Sequence, residues 1–291
     1  MRAETVAKFV DAYTRGRIPE ALRLDASTVV LIDEAGMTDS ADIDAVITHA
    51  REAGASVRLI GDPAQLDAVT GAGSLRLFDR AVGAVHMDQI WRFHSAEEAD
   101  ATMCLRSGST SAADFYIDNG RLHTGTVDSV TESMVEAWKA DLSRGDTSVM
   151  IAATRDQVTT LARAAQAWRI STGAVKMTTT SLADGSVVGI GDLVVTRRND
   201  RENTYGRGDF VRNGDTWTVT AVDKTGALTL SREGTHDQVQ VDAEYAAQHV
   251  DLGYAVTVHG SQGRTVDHAH LLINDTTGRD QPVRGAHARP R

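Results

Sequence analysis

The stretch VVLIDEAG at residues 29–36 decides the fold class, because a run of four apolar residues ends abruptly in two acids. A continuous apolar run of this length is typical of a strand buried on both faces of a parallel sheet. A helix is predicted at 39–53, and a second short strand is predicted at 56–60. This strand–helix–strand alternation predicts an α/β layer fold with right-handed crossovers.

Two carboxylates, Asp33 and Glu34, stand where the first predicted strand ends. Ligands of open α/β sheets bind at the carboxyl ends of the strands. An acid there can hold Mg²⁺ through water, and its neighbour can orient an attacking water molecule. An acid at this position is also favoured by the dipole of a following helix, so the stretch alone leaves both interpretations open.

A second polar cluster, GDPAQL at residues 61–66, follows the next predicted strand. Gln65 could reach a terminal phosphate or an attacking water from this position, although the stretch by itself is explained better by a simple turn. Because one helix separates the two strands, we expect them to be neighbours in the sheet. That arrangement would bring the two polar clusters together.

Two further stretches contain residue types suited to phosphate groups. Arg92 lies between aromatic residues in QIWRF, residues 89–93, where it could form a surface cation–π pair or project into a phosphate site. GYAVTVHGSQGRT, residues 253–265, leads from a strand into a helix and is rich in hydroxyl and amide groups. Such a loop can offer its N–H and hydroxyl groups to phosphates, but a capped helix start would have the same sequence.

In residue type, order and spacing, the four stretches resemble motifs II, III, IV and V of superfamily 1 DNA helicases, close to RecD and the conjugative relaxase-helicases of the TraI/TrwC type. The resemblance covers nearly the whole chain. It implies α/β, RecA-like core lobes with an inserted SH3-like β-barrel, and ATP and Mg²⁺ as cofactors. One departure is Gly260, where the family usually has lysine, and the loss of a cation near DNA should weaken binding.

The resemblance also assigns roles to individual residues. Asp33 would ligate Mg²⁺, and Glu34 would activate the attacking water. Gln65 and Arg92 would sense the γ-phosphate and complete the catalytic set with Glu34. The implied nucleotide site consists of Asp33, Glu34, Asp62, Gln65 and Arg92. The residues that would contact single-stranded DNA, or couple it to the nucleotide, are Thr257, His259, Ser261 and Gln262.

Domain boundaries follow from changes in the hydrophobic pattern together with that resemblance. A partial first lobe with motifs II and III is expected at 1–86, and the second lobe is expected at 87–180 and 243–275. Short alternating strands with Gly and Asp turns predict the SH3-like insert at 181–242. The polar, arginine-rich end at 276–291 has no periodicity, and we expect it to be disordered.

The chain contains no G-x-x-x-x-G-K-[ST] loop, the element that holds the β- and γ-phosphates in helicases of this type. We therefore expect a truncated fragment that is inactive alone, with part of its sheet left bare. Motif VI is also absent from the sequence as it stands. One allowed codon string for 282–290, read one base later, encodes LYVGLTRGR, which resembles motif VI and predicts a frameshift.

Composition limits the remaining classes of protein. A net charge of −10 argues against a protein coated in nucleic acid, but it permits a narrow single-strand channel. The sequence has no bilayer-length apolar stretch, no signal peptide and only one cysteine, Cys104, and these features predict a cytoplasmic protein without membrane partners. The histidines lack metal-ligand spacing, so no zinc is expected.

Three alternatives stay open at this stage. The chain could be one half of a split helicase, completed by a separately encoded chain that carries the phosphate-binding loop. It could be a non-catalytic module that binds single-stranded DNA, although residues 196–212, with five arginines against three acids, are only weakly basic. A metabolic Mg²⁺ phosphotransferase fits the first motif alone, but the matches to motifs III and V argue against it.

Overall fold

The computed structural model describes residues 4–63, 74–87, 93, 95–206, 209–232, 235, 237–262, 264–273 and 287–288. The chain forms two compact units, Met1–Gln89 and Ile90–Arg291. Within the described ranges, no helix is both long enough and apolar enough to cross a membrane.

The first unit alternates helices with two parallel strands. Thr5 and Asp39 each accept a hydrogen bond from a backbone N–H in the first turn of the helix that follows, which sets where that helix begins. The two strands pair in parallel, with Val29 opposite Ser56, so the predicted adjacency is confirmed. In chain order the elements are α1 Val6–Thr14, a 3-10 turn Glu20–Leu22, β1 Val29–Ile32, a second 3-10 turn Ala35–Met37, α2 Ser40–Glu52, β2 Ser56–Leu59 and α3 Ser74–Val82.

Strand β1 is buried on one face only, so the prediction of a strand buried on both faces is wrong. Ile32 is 3% exposed and packs with Phe9 of α1 and Val46 of α2. On the opposite face, Val29 is 57% exposed and Leu31 is 49% exposed. The reason is that, among the described residues of this unit, helices cover only the Ile32 face of the two-stranded sheet.

The second unit begins with helices around a buried strand. Strand β3 follows α6 and is almost completely buried from Val149 to Ala152. Thr154 then opens α7 through a capping box, in which its hydroxyl accepts from the Gln157 N–H and the Gln157 side chain accepts from the Thr154 N–H. The elements are α4 Ala96–Arg106, α5 Ala112–Asp118, α6 Val127–Arg144, β3 Ser148–Ala152 and α7 Arg155–Ser171.

An antiparallel barrel follows α7. Alternating burial along its strands, as at Trp217 and Val219, creates an apolar interior. The strands are β4 Lys176–Ser181, β5 Val187–Ile190, β6 Leu193–Thr196, β7 Asp200–Tyr205, β8 Asp209–Val211, β9 Thr216–Val222, β10 Leu228–Ser231, β11 Gln238–Val241 and, after α8 Ala243–His249, β12 Val250–Leu252. Five of them form one sheet in the order β11-β10-β9-β6-β12, and β4–β5 and β7–β8 pair separately.

After the barrel the chain returns to the buried parallel sheet. The last elements are β13 Ala255–Thr257, α9 Val258–Ser261, β14 Thr265–Val266, β15 His268–Leu271 and β16 His287–Ala288. Strand β3 lies between β13 and β15, and both neighbours run parallel to it. Buried side chains of this sheet, its helices and the barrel form one continuous hydrophobic cluster, which includes Trp138, Trp217 and Tyr254. The barrel therefore shares its core with the sheet.

Periodicity predicted most of these elements, including the helix at 96–106 and the strand at 148–152. It did not predict α3 and α5, which are only nine and seven residues long, and helices this short are marginal by themselves. The end predicted to be disordered lies largely outside the described residues. Its described part is β16, which pairs in parallel with β14. The predicted frameshift also falls outside the described residues.

Candidate nucleotide and nucleic-acid site

The turn after β1, which carries the two predicted carboxylates, lies against the end of β2. The Ala35 N–H donates to the Ile60 carbonyl at 2.9 Å, and the Ile60 N–H donates to the Ile32 carbonyl at 2.9 Å. Gly61 packs so closely that an added Cβ would lie 3.2 Å from the Ala35 nitrogen. The start of the second polar cluster, at Gly61, therefore lies against the turn that carries the first, and the rest of that cluster, residues 64–66, lies outside the described residues.

Asp33 and Glu34 are both exposed at the carboxyl end of β1. One oxygen of the Asp33 carboxylate accepts a hydrogen bond from the Glu34 N–H at 3.0 Å. Glu34 has φ 49° and ψ 42°, and no other non-glycine residue in the described part of the chain has a positive φ. A left-handed conformation costs an L-residue about 1–2 kcal/mol. Backbone strain therefore coincides with a residue that the sequence predicts to be catalytic.

The carboxylates of Asp33 and Glu34 fit a Mg²⁺ site only if a bound nucleotide shares in coordinating the ion. Mg²⁺ usually keeps several waters and is held by one or two carboxylates together with substrate phosphates, whose charge it offsets. Asp33 is exposed and could supply one carboxylate. The described residues contain no group of three or more side chains able to hold a metal ion.

The other predicted nucleotide-binding residues are placed only in part. Asp62 is half-buried in the turn after β2. Gln65 and Arg92 lie outside the described residues, so their roles stay predictions. Helix α3 covers this end of the sheet. A Cβ added to Gly61 would lie 2.8 Å from the side chain of Leu75 in α3.

The predicted DNA-contacting residues lie in the motif V segment, residues 255–262, which comprises β13, α9 and Gln262. The Thr257 hydroxyl accepts from the Gly260 N–H at 3.2 Å and so caps α9. His259 is half-buried and Gly260 is exposed. Ser261 is 1% exposed, and its hydroxyl donates to a backbone carbonyl of the same turn at 2.7 Å. His259 and Gly260 thus form the accessible part of the segment.

The motif V segment stands at the carboxyl edge of the parallel sheet. Thr257 lies opposite Ala152, the last residue of β3. Gln262 is half-buried directly after α9. Loops at this edge are where open α/β sheets bind ligands. The structure brings the four predicted residues into one strand-to-helix turn, and their roles toward DNA stay predictions.

A buried polar junction that the sequence did not reveal adjoins this segment. Asp192, between β5 and β6, is fully buried and accepts hydrogen bonds from the Tyr254 hydroxyl at 2.6 Å, Gln166 Nε2 at 2.6 Å and the Gly189 N–H at 2.7 Å. Burial raises the pKa of the Asp192 carboxyl, although these hydrogen bonds oppose the rise. No local signal identifies Asp192, because Gly191-Asp192 has the sequence of an ordinary turn between strands.

Arg264 adjoins the other end of the motif V segment. Its Nε donates to the Gly260 carbonyl at 3.2 Å, and its Nη2 donates to the Thr216 hydroxyl at 3.2 Å. Burial, together with the positive charge of Arg197, lowers the pKa of the Arg264 guanidinium. The sequence stretch that predicted motif V contains Arg264, but nothing in its spacing indicated contact with the barrel.

Comparison with known proteins supports the same architecture. Residues 1–127 match the family described as an AAA domain, and residues 180–251 match the Rv2311 SH3-like barrel domain. The probable conjugal transfer protein TraA of Sinorhizobium fredii is 29% identical over 257 residues, which cover 87% of this chain and 23% of that protein. The multifunctional conjugation protein TraI of Escherichia coli K12 is 37% identical over 98 residues, or 34% of this chain and 5% of that protein.

Among solved structures, the Pif1 helicase from Candida albicans matches 98% of this chain and 77% of its own, with a TM-score of 0.54 at 15% identity. The chain is similar in sequence to conjugal transfer proteins and in fold to a Pif1 helicase. These comparisons support the resemblance inferred from four motifs, and they confirm the RecA-like core and the SH3-like barrel. The chain spans about a quarter of the length of the TraA relatives that it matches.

Proposed function

We propose that this chain is part of an ATP-dependent translocase on single-stranded DNA, from a conjugative relaxase-helicase, and that it does not hydrolyse ATP alone. The proposal is carried by the contact between the turn after β1 and the turn after β2, at the carboxyl ends of two parallel strands. In the whole protein, Asp33 would hold Mg²⁺ and Glu34 would orient the attacking water. Gln65 and Arg92 would sense the γ-phosphate.

The expected inactivity of the 291-residue chain follows from its sequence. Phosphoryl transfer in this class needs the β- and γ-phosphates to be held by the backbone and lysine of a G-x-x-x-x-G-K-[ST] loop. This chain contains no such loop. Without it, nothing fixes the terminal phosphate relative to Glu34, and the rate advantage of positioning is lost. A cytoplasmic location, expected from composition, stays a prediction.

Single-stranded DNA is the proposed ligand of the motif V segment. Its accessible residues, His259 and Gly260, lie at the edge of the sheet where ligands are expected. The net charge of −10 disfavours unspecific coating by nucleic acid, so binding should be local and should fall as salt is added.

Fluorescence anisotropy with a labelled single-stranded oligonucleotide tests the DNA-binding part of the proposal. We expect binding that weakens with salt and that His259→Ala reduces. His123→Ala is the matched control, because His123 is exposed in the same unit but far from the motif V segment in sequence. Absence of salt-dependent binding, or equal loss in both variants, would contradict the assignment.

ATP turnover in the presence of that oligonucleotide tests the expected inactivity. The rate of the chain should not exceed background, and Glu34→Gln should therefore change nothing measurable. A DNA-stimulated rate that Glu34→Gln abolishes would show that the chain is an active ATPase by itself.

A second candidate, one half of a split helicase, is favoured by the open face of β1 and the end of β2. Val29, Leu31 and Ile60 are 57%, 49% and 43% exposed. A separately encoded chain with the phosphate-binding loop would bury such apolar side chains. Mixing this chain with one that carries a G-x-x-x-x-G-K-[ST] loop should then give a stable complex with ATP turnover, and Leu31→Asp should prevent both. No complex, or a complex without turnover, would exclude this candidate.

A further inference from the structure

The motif V segment is joined to the barrel at its start by Tyr254. This residue is 3% exposed, and its hydroxyl donates to Asp192 Oδ1 at 2.6 Å and accepts from the Leu193 N–H at 3.2 Å. Leu193 is the first residue of barrel strand β6, and Tyr254 directly precedes β13. One hydroxyl therefore connects the start of the barrel strand to the start of the motif V strand.

The acceptor that Tyr254 uses is itself held rigidly. The second carboxylate oxygen of Asp192 accepts from Gln166 of α7 and from the backbone of β5. The ring of Tyr254 packs edge-on against Trp138 at 5.8 Å, and the Arg169 guanidinium lies 5.8 Å from the ring centroid. Buried polar networks of this kind favour one arrangement of their members.

The backbone before Tyr254 is also pressed against β6. The Gly253 N–H donates to the Leu193 carbonyl at 2.8 Å. A Cβ on Gly253 would lie 3.1 Å from the carbonyl carbon of Val194 and 3.2 Å from its nitrogen. Only glycine permits this approach without displacing backbone.

At its end, the motif V segment is joined to the barrel by Arg264. The guanidinium bridges the Gly260 carbonyl of α9 and the hydroxyl of Thr216, both at 3.2 Å. Thr216 begins β9 and lies opposite Val195 of β6. The contacts at the two ends therefore reach the same barrel strand or its hydrogen-bonded neighbour.

We infer that Tyr254 and Arg264 are positioning residues that hold both ends of the motif V segment to the barrel, so that barrel and segment move as one body. The continuous hydrophobic cluster shared by the sheet and the barrel favours such joint motion. The inference rests on the proposed function only for its consequence, which is that the position of the barrel sets how the segment meets single-stranded DNA.

Hydrogen exchange on the full chain tests the positioning role without DNA. Tyr254→Phe removes one hydroxyl, and Arg264→Gln removes the bridging guanidinium. Tyr205→Phe is the matched control, because Tyr205 is 5% exposed and its hydroxyl accepts from Arg232 within the barrel at 2.7 Å. We expect amides in residues 255–262 to exchange about tenfold faster in the first two variants and to be unchanged in the control. Tyr254→Phe removes the donor to the buried Asp192 carboxylate, and Arg264→Gln removes the guanidinium that joins Gly260 to the partly buried Thr216 hydroxyl.

Two results would overturn the inference. One is exchange in residues 255–262 that matches the wild type in both Tyr254→Phe and Arg264→Gln. The other is faster exchange spread evenly over the second unit, which would indicate a general loss of stability instead of local release.

Oligonucleotide affinity separates this inference from the proposed function. If the wild-type chain binds, both variants should bind about three- to tenfold more weakly, and Tyr205→Phe should bind as the wild type does. Unchanged affinity in the variants would overturn the consequence for DNA. If the wild-type chain does not bind, the proposed function fails, while hydrogen exchange still decides the positioning role.

Discussion

Replacing Glu34 by glycine should stabilise the first unit or leave its stability unchanged, although glycine normally destabilises a folded chain. Glu34 has φ 49° and ψ 42°, a conformation that costs an L-residue about 1–2 kcal/mol and costs glycine almost nothing. The greater freedom of glycine in the unfolded chain costs about 0.4–1 kcal/mol. The net effect on the free energy of unfolding is therefore between zero and a gain of about 1.5 kcal/mol.

Two controls separate the conformation of Glu34 from its charge. Glu34→Gln removes the charge and keeps the backbone conformation, so its stability should stay within about 0.5 kcal/mol of wild type. Arg23→Gly alters an exposed residue of the same unit whose φ is −67°, where glycine relieves no strain. The free energy of unfolding of Arg23→Gly should fall by about 0.4–1 kcal/mol. The free energies of unfolding of the two glycine variants, each relative to wild type, should thus differ by about 1–2 kcal/mol, which is the cost of the left-handed conformation.

The assay must report on the first unit specifically. The four tryptophans, at positions 91, 138, 168 and 217, all lie outside residues 1–89, so tryptophan fluorescence does not report on this unit. Native-state exchange of amides in β1 and α2 does, and about 1.4 kcal/mol corresponds to a tenfold change in rate. If Glu34→Gly loses as much protection as Arg23→Gly, the argument from backbone strain is refuted. A gain of protection in Glu34→Gly would mean that the wild-type chain keeps Glu34 in its left-handed conformation at the expense of stability.

Three further predictions concern the second unit. Although burial opposes the shift, hydrogen bonds from Ser148 and His270 lower the pKa of the Asp141 carboxyl. A lowered pKa adds stability above the unfolded value of about 3.9 and loses it as the pH falls through the folded value. Asp141→Asn should therefore be more destabilising at pH 7 than at pH 3 in urea unfolding followed by tryptophan fluorescence, and an equal deficit at both would contradict this. Gly260→Lys should steepen the slope of log affinity for single-stranded DNA against log salt concentration by about 0.7 relative to Gly260→Ala. The alanine variant controls for the added Cβ, which would lie 3.2 Å from the Thr257 hydroxyl. Equal slopes in the two variants would argue against DNA at this turn. Gly253→Ala should cost about 1–3 kcal/mol in the same urea assay, because its Cβ would lie 3.1 Å from the Val194 carbonyl carbon, and a neutral result would mean that β6 and β12 can separate without cost.

Sequence reasoning succeeded where the signal is local or follows from a rule of connection. The helix at 96–106 shows its start at Ser95, whose hydroxyl accepts from the Glu98 N–H, and its end comes near a glycine. The pairing of β1 with β2 followed from the single intervening helix. The barrel followed from short alternating strands separated by turn residues. Each of these inferences depends on residues close together in the chain.

Sequence reasoning failed where an outcome depends on what lies across space. The run at 29–32 has the composition of a strand buried on both faces, but only neighbouring elements decide whether Leu31 is covered, and it is 49% exposed. Nothing local marks Glu34 as left-handed, because the turn is held by a hydrogen bond from Ala35 to the end of β2. The burial of Ser261, which is 1% exposed, also depends on surrounding elements, and its predicted role in contacting DNA or coupling it to the nucleotide stays a prediction.

The sequence alone determined the order of the motifs, the α/β class, the barrel and the resemblance to superfamily 1 helicases, because residue type, spacing and periodicity are properties of the chain. The tertiary structure alone decided which distant residues meet. Tyr254 joins Asp192 across 62 residues, and His270 joins Asp141 across 129. A buried carboxylate is stable only if the completed fold supplies its hydrogen-bond donors, and no window of sequence contains both partners.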